Sequence, residues 1–372
     1  MDTLLLKVLI QLSLFSICCV WTRRAFWLYS IGKKNSPLKA LTDATKSSSP
    51  KVSVIVPAKN EEKNIGRCLK SLFVQNYPNY EIIVVDDRSD DATPHLLENF
   101  KTLSPVPFKI IRIEKLPPGW TGKNHGQHTA SKTASGEWLL FTDADTTHKP
   151  ESVATAVNTA LDKKIDFLTL APETECHSFW EKTVQPLAVS SIALWFPHGK
   201  LANGQFILVK KDVYEKSGGN EGVKLAVVED VALAKNVKNS GFRVEFLNGT
   251  ELYSTRMYSS LQQIKTGWTR IFTHLFEKSI PAILHKIFLF LFFSLLPFAL
   301  LFYPDLEVLL SALITTVIII MIRFAGNRMV KTNPWYAFLH PLASLVMLWI
   351  LLICLWRVLF NRPSPWRGDL LK

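Results

Sequence analysis

The stretch that decides the fold is Trp138-Leu139-Leu140-Phe141-Thr142-Asp143-Ala144-Asp145. Its first four residues form an apolar run, which is typical of a short strand buried on both faces of a parallel sheet. The two aspartates follow the carboxyl end of that strand, where open α/β sheets bind their ligands. Strand alternation would place Asp143 and Asp145 on one side, roughly 6–7 Å apart. Such a pair predicts a site for Mg²⁺ or Mn²⁺ with a diphosphate as further ligand; the alternative, for the pair taken alone, is a solvated loop.

Strand and helix patterns alternate at short spacing on both sides of this stretch. The strands predicted before it are 52–57, 81–85 and 108–113, and those after it are 167–170, 204–209 and 242–247. This alternation predicts an α/β domain with a mostly parallel sheet and right-handed crossovers. After the first strand we expect a helix with Asn60 as its N-cap, since asparagine favours that position.

Apolar residues make up 48% of the chain, and the excess lies at its two ends. Residues 4–21 are predicted to be an uncleaved membrane anchor. Three more apolar stretches, 287–303, 306–322 and 335–360, lie near the other end. The first two are close to the lower length limit for spanning, so a packed helical hairpin or a re-entrant pair remains an alternative.

The net charge of +12 is placed in a way that favours a membrane over a nucleic acid as partner. Between Thr22 and Lys51 there are seven basic residues and one acid. A basic block directly after an apolar span is typical of the cytoplasmic side and attracts anionic lipid. The five cysteines show neither metal-ligand spacing nor a disulfide framework. We therefore expect a multi-pass protein of the inner cell membrane, with its α/β domain in the cytoplasm.

These patterns divide the chain into six parts. They are an anchor (1–21), a basic juxtamembrane linker (22–50), the α/β domain (51–257), an amphipathic helix (258–280), a C-terminal transmembrane region of two to three segments (281–360) and a basic tail (361–372). In the amphipathic helix, Trp268 and Phe272 share the apolar side, which we expect to lie at the membrane interface.

Acidic residues follow strands or open helices at three places. These are Asp86-Asp87, the pair Asp143 and Asp145, and Glu229-Asp230. Carboxylates placed after parallel strands converge on one edge of the sheet. Lys123, in the turn between them, could meet phosphate charge. A lone acid pair is more often a helix cap, and for Asp230 a favourable place in the first turn of a helix is the alternative.

Five motifs occur in a fixed order along the chain, and together they resemble the motifs of a known family. They are Val-Ile-Val-Pro-Ala-Lys-Asn-Glu-Glu, Val-Val-Asp-Asp-Arg-Ser, Gly-Trp-Thr-Gly-Lys, Phe-Thr-Asp-Ala-Asp and Glu-Asp-Val-Ala-Leu. In this order they resemble family 2 glycosyltransferases with the GT-A fold, over about Val52 to Thr273. The chain is more closely similar to the membrane-anchored branch that acts on carotenoid or hopanoid lipids. That closer likeness depends on Gly119–Lys123, Arg256-Met-Tyr258 and Gly267-Trp268.

The resemblance implies a role for each matching residue. Nucleotide-sugar binding is implied for Pro57, Asn60, Glu61, Asp87, Lys123 and Asp143. Asp143 and Asp145 would hold the donor diphosphate through Mg²⁺ or Mn²⁺. Asp230 would be the general base that deprotonates the acceptor, which gives inversion at the anomeric carbon. A position on the acceptor side of the site or at the membrane interface is implied for Glu229, Arg256 and Trp268.

The resemblance implies an inverting, metal-dependent transfer from a nucleotide-sugar, a UDP-sugar by preference, to a terpenoid or carotenoid-like membrane lipid. Processive members carry Gln-x-x-Arg-Trp, but no arginine precedes the tryptophan in Gln262–Trp268, which favours a single transfer over polysaccharide synthesis. A polyprenyl phosphate or diacylglycerol acceptor remains an alternative, as does an inactive, membrane-tethered nucleotide-sugar-binding protein. Sugar nucleotidyltransferases are set aside because 57–62 lacks their glycines. For His125 and His128, a structural role is preferred over metal binding.

Overall fold

The computed structural model describes residues 3–34, 36–41, 49–196, 202–366 and 369–371. Parts of the predicted linker (35 and 42–48) and of the predicted tail (367–368 and 372) lie outside the described residues. The strands are β1 (Val52–Ala58), β2 (Tyr80–Asp87), β3 (Phe108–Ile113), β4 (Trp138–Phe141), β5 (Thr146–His148), β6 (Phe167–Ala171), β7 (Glu173–Thr174), β8 (Ile207–Lys210), β9 (Val244–Asn248), β10 (Tyr253–Thr255), β11 (Ser364–Trp366) and β12 (Asp369–Leu371).

The helices cover both ends of the chain as well as the faces of the sheet. They are α1 (Thr3–Lys34), α2 (Ile65–Phe73), α3 (Thr93–Leu103), α4 (Gly122–Thr133), α5 (Ser152–Asp162), α6 (Phe179–Trp195), α7 (Lys211–Lys216), α8 (Glu229–Asn239), α9 (Leu261–Leu275), α10 (Ile280–Phe290), α11 (Leu296–Ala299), α12 (Leu306–Met329) and α13 (His340–Leu359).

A seven-stranded sheet in the order β3-β2-β1-β4-β8-β6-β9 forms the centre of the α/β domain. The first four strands run parallel, and β8 is antiparallel to both of its neighbours. Every residue of β4 is buried: Leu140 packs into the core on one face, and Leu139 and Phe141 pack into the core on the other. The apolar run therefore is the predicted strand with both faces covered.

The strand ends earlier than the sequence pattern suggests. β4 stops at Phe141, and Asp143 to Asp145 lie in a turn before β5. The prediction that strand alternation aligns the two aspartates is therefore wrong, because neither residue is in an extended strand. The small sheet β5-β10-β7 forms next to this turn, with Thr255 opposite Thr146.

The loop after β1 also differs from the prediction. α2 begins at Ile65, and Asn60 has a φ of 53°, in the left-handed region that asparagine tolerates. Its backbone N–H donates to Ser89 Oγ at 3.0 Å, and its Oδ1 accepts from Asp90 N at 2.9 Å. Asn60 is therefore no N-cap, because its polar groups join the loops after β1 and β2 instead.

Four helical segments are long and apolar enough to cross a membrane: 4–30, 280–302, 306–329 and 334–359. The predicted anchor stretch 4–21 and the stretch 306–322 fall within two of them, and the predicted stretches 287–303 and 335–360 end one residue beyond the other two. α1 continues to Lys34, so the first part of the predicted linker is helical. α1 lies alongside α12: Lys7 Nζ is 3.0 Å from Asp305 Oδ2, and Trp21 packs with Ile319.

The apolar side of α9 is covered by protein. Trp268 is 2% exposed and Phe272 is 0% exposed, in a core shared with α6, α10 and α13. Trp268 Nε1 donates a hydrogen bond to Gln185 Oε1 on α6. The amphipathic helix exists as predicted, but the expectation that these two side chains face the membrane interface is wrong, because other helices of the chain occupy that side.

Candidate active site

Lys123 is the residue that joins the predicted acids. It lies in the first turn of α4, whose N-cap Thr121 accepts a hydrogen bond from Asn124 N through its side chain. Its Nζ is 2.7 Å from Asp143 Oδ1 and 2.7 Å from Glu229 Oε1. Burial disfavours the ammonium, but the two carboxylates outweigh this and hold the pKa of Lys123 above its usual value. One cation thus connects the turn after β4 with the start of α8.

Asp230 is held next to this cluster by backbone groups. Its Oδ2 accepts from Gly204 N at 2.7 Å and its Oδ1 accepts from Val231 N at 2.8 Å. Burial and the neighbouring Glu229 charge raise its pKa, against the opposing effects of Lys123 and the two hydrogen bonds. A carboxyl group with a raised pKa is suited to accept a proton near neutral pH.

Gly204 is the site residue that sequence reasoning missed. A Cβ at this position would lie 3.1 Å from both Lys123 Nζ and Glu229 Oε1, and 3.4 Å from Asp230 Oδ2. The absence of a side chain lets the chain pass between the three charged groups and donate its N–H to one of them. The only sequence signal was a glycine before an apolar strand, which does not reveal what it touches.

The residues expected at the nucleotide surround the ends of β1 and β2. Pro57 lies within β1. Glu61 is buried, and its Oε2 accepts from Asn64 Nδ2 at 2.8 Å. Asp87 ends β2, binds Arg88 Nε at 2.7 Å and lies against the backbone of Gly122, the residue before Lys123. The structure thus brings Asp87 to the start of α4, on the same edge of the sheet as the Lys123 cluster.

Asp145 lies on the other side of the turn that carries Asp143. Its Oδ1 accepts from Thr255 Oγ1 at 3.5 Å, and its carbonyl oxygen accepts from Arg256 N at 3.4 Å. These contacts fix the turn to β10 and the residue that follows it. The Asp143 side chain is 27% exposed, so it remains accessible from solvent while it contacts Lys123.

Within the part of the chain that the structure describes, no three His, Cys, Asp or Glu side chains form a metal cluster. Asp143 and Asp145 fit Mg²⁺ or Mn²⁺ by ligand type, because both ions prefer oxygen. They would act as a two-carboxylate site whose other ligands come from a bound diphosphate or water. His125 and His128 instead pack against Trp120, with ring centroids at 5.4 and 5.0 Å.

The comparisons with known proteins concern the family and the fold of this chain. Residues 53–216 match the family model described as Glycosyl transferase family 2. The segment is a family 2 glycosyltransferase domain. The mannosyltransferase PcManGT from Pyrobaculum calidifontis, solved in complex with GDP-Man and Mn²⁺, has a similar structure with a TM-score of 0.56 at 18% identity. The match covers 95% of this chain and 99% of that one, and it confirms the predicted GT-A fold.

Curated relatives are also similar to this chain over a long stretch of sequence. The 4,4'-diaponeurosporenoate glycosyltransferase of Staphylococcus aureus (strain USA300) is 26% identical over 255 residues. The enzyme of strain N315 is 27% identical over the same length. The match covers 66% of this chain and 66% of those relatives, just under two thirds of their length.

Two of the residues for which the resemblance implies the acceptor side or the interface have other contacts. Arg256 Nε donates to Glu181 Oε1 at 2.9 Å, and that carboxylate is fully buried at the start of α6. Burial opposes the charge of Glu181, but Arg256 and the Ser178 hydrogen bonds lower its pKa to about 2. Arg256 therefore holds α6 to the turn after β10. With Trp268 also in the core, Glu229 is the member of this set that lies at the Lys123 cluster.

Proposed function

We propose that this protein transfers a single sugar from a nucleotide-sugar to a membrane lipid, with inversion at the anomeric carbon. The observation that carries the proposal is the cluster in which Lys123 contacts Asp143 and Glu229 beside Asp230. It places a candidate donor-binding acid and a candidate base around one cation. A cation between acids is a suitable place for a diphosphate that leaves with negative charge.

Asp230 is proposed as the general base. Two backbone N–H groups fix both of its oxygens, so the carboxylate has one orientation. Because its pKa is raised, Asp230 has a higher proton affinity than an exposed aspartate. It is therefore better suited to take the proton of an acceptor hydroxyl. Attack on the face opposite the departing diphosphate gives inversion.

Asp143 and Asp145 are proposed to hold a divalent cation together with the donor diphosphate. When bound, that cation would supply positive charge to the leaving group. Asp143 would then share its negative charge between the cation and Lys123, and the ammonium of Lys123 would turn towards phosphate oxygens. Asp87, which ends β2 and lies beside the first residue of α4, is proposed to contact the nucleotide.

The acceptor is proposed to be a terpenoid or carotenoid-like lipid, and the donor a UDP-hexose. The relatives from S. aureus support the acceptor class, since their name specifies diaponeurosporenoate. Four helices with the length and composition of membrane spans support a position of the domain near a lipid phase. The basic residues after the first span support a cytoplasmic domain of a multi-pass inner-membrane protein, where nucleotide-sugars are available.

The experiment uses the full chain in lipid nanodiscs, with a panel of nucleotide-sugars and three acceptor classes: carotenoid, polyprenyl phosphate and diacylglycerol. Asp143→Ala and Asp145→Ala should each abolish transfer, while Asp212→Ala, an exposed acid paired with Lys216, should not. EDTA should stop the wild-type reaction, and Mn²⁺ or Mg²⁺ should restore it. Full turnover in EDTA, or transfer by both site variants, would contradict the metal site. Transfer to diacylglycerol alone would contradict the acceptor class.

A further inference from the structure

A cavity of about 190 Å³ lies between α1, α6, α10 and α12, apart from the Lys123 cluster. Most of its lining is apolar, including Leu28, Leu187, Leu194, Phe290, Ile322 and Met329. Two arginines, Arg24 and Arg323, also line it, and no acidic residue does so among the described residues. The cavity thus combines an apolar wall with positive charge that no acid of the wall balances.

Arg323 is the unusual member of this wall. It is 6% exposed, and its Nε has no hydrogen-bond partner in the described part of the chain. Arg24 lies over the rings of Trp21 and Phe293, with its guanidinium carbon 5.2 and 5.9 Å from the centroids. A buried charge without a counter-ion is costly, and an ionisable residue within a membrane span marks a functional site by default. Among the residues that the structure describes, no acid lines the cavity to pair with these two arginines.

The depth of the two arginines in the bilayer indicates which kind of anion they would bind. Arg24 and Arg323 each lie about 9 Å along the helix axis before the ends of their spans at Ser30 and Met329. These are the ends nearest the α/β domain, since Lys331 beyond α12 pairs with Glu251, which lies between β9 and β10, at 2.8 Å. Because the headgroup layer of a bilayer is about 5–8 Å thick, the arginines lie at the boundary between headgroups and acyl chains.

We propose that this cavity binds an anionic glycerophospholipid, with its phosphate at Arg24 and Arg323 and part of an acyl chain against the apolar wall. A guanidinium can donate two parallel hydrogen bonds to phosphate oxygens, which would satisfy the unpaired Nε. The lipid would connect α1 and α12 to α6, the helix that Arg256 holds to the turn beside Asp145. This site is separate from the sugar-transfer site and does not depend on the proposed reaction.

The test measures lipid binding by native mass spectrometry of the full chain released from phosphatidylcholine nanodiscs, with and without phosphatidylglycerol. The wild type should retain phosphatidylglycerol. In the double variant Arg24→Gln/Arg323→Gln, the fraction of protein that retains this lipid should be at least tenfold lower. Arg23→Gln is the matched control, because the neighbouring Arg23 is exposed and does not line the cavity. A circular dichroism spectrum like that of the wild type shows that the double variant is folded.

A second variant tests the cavity without changing its charge. Gly326 lines the cavity, and a Cβ there would meet no atom within 4 Å, so the side chain of Gly326→Leu should enter the cavity and reduce its volume. It should also reduce phosphatidylglycerol retention. Equal retention by the wild type and both variants would overturn the proposal. So would release of the lipid by soluble glycerol phosphate, which would indicate a site for free phosphate, or stronger retention of a carotenoid than of phosphatidylglycerol, which would indicate an acceptor site.

Discussion

Replacing Lys123 by methionine should move the acid limb of the pH–activity profile upward. If Asp230 is the base, it must be deprotonated, and its pKa of about 7 means that kcat/KM of the wild type falls as the pH drops through that value. Lys123 favours the ionised form of Asp230, so its removal raises the pKa of Asp230 further. The loss of donor binding should lower kcat/KM at every pH, but the position of the limb reports the base alone.

The size of this shift follows from the geometry around Gly204. Lys123 Nζ and Asp230 Oδ2 lie 3.1 and 3.4 Å from one point, so they are no more than about 6.5 Å apart. At an effective dielectric constant of about 20, a pair of charges at that distance interacts by about 2.5 kcal/mol, or nearly two pKa units. Because Lys123 is 31% exposed, water screens part of this, and we expect the limb to move up by about one unit.

The assay measures kcat/KM for sugar transfer against pH, with metal and nucleotide-sugar kept constant. Lys132→Met is the matched control, since it removes the same charge from the last turn of the same helix α4. Lys123→Arg should keep the limb near the wild-type position, because it keeps the charge. An unchanged limb in Lys123→Met, or the same shift in Lys132→Met, would refute the assignment of Asp230 as a base coupled to Lys123.

Three further results are expected. Asp230→Asn should lower kcat by about 10²–10⁴ while nucleotide-sugar binding, measured by calorimetry, persists; an unchanged kcat would contradict the role of base. Gly204→Ala should reduce transfer, because its Cβ would crowd Lys123 and Glu229 at 3.1 Å. Gly241→Ala is the control: its Cβ would meet nothing within 4 Å, and because the residue has a φ of 86°, the substitution should affect stability alone. Arg256→Gln should destabilise the fold by about 3 kcal/mol in chemical unfolding, since it leaves the buried Glu181 carboxylate without its counter-ion. The pKa of Glu181 is lower in the folded state, so the wild type should lose this contribution as the pH falls from 4.5 towards about 2, and the variant should show a smaller loss there.

Local sequence was enough for those features that depend on local pattern. The Trp138 run predicted a doubly buried strand because its residues are apolar at consecutive positions, and both faces of β4 are covered. Apolar length predicted the helices at the two ends of the chain. The order of five short motifs predicted the family whose model matches residues 53–216, a segment that contains the first four of them.

Contacts between distant segments decided the rest. Asn60 carries the composition of an N-cap, but its hydrogen bonds go to a loop about thirty residues later, which no local pattern encodes. Periodicity showed that one side of α9 is apolar, but only packing against α6 and α13 showed that protein covers Trp268. Lys123 meets Asp143 and Glu229 because the sheet brings their three segments to one edge. Side-chain type and spacing therefore determine which face is apolar and which groups can react, whereas the tertiary structure determines what each face and each charge meets.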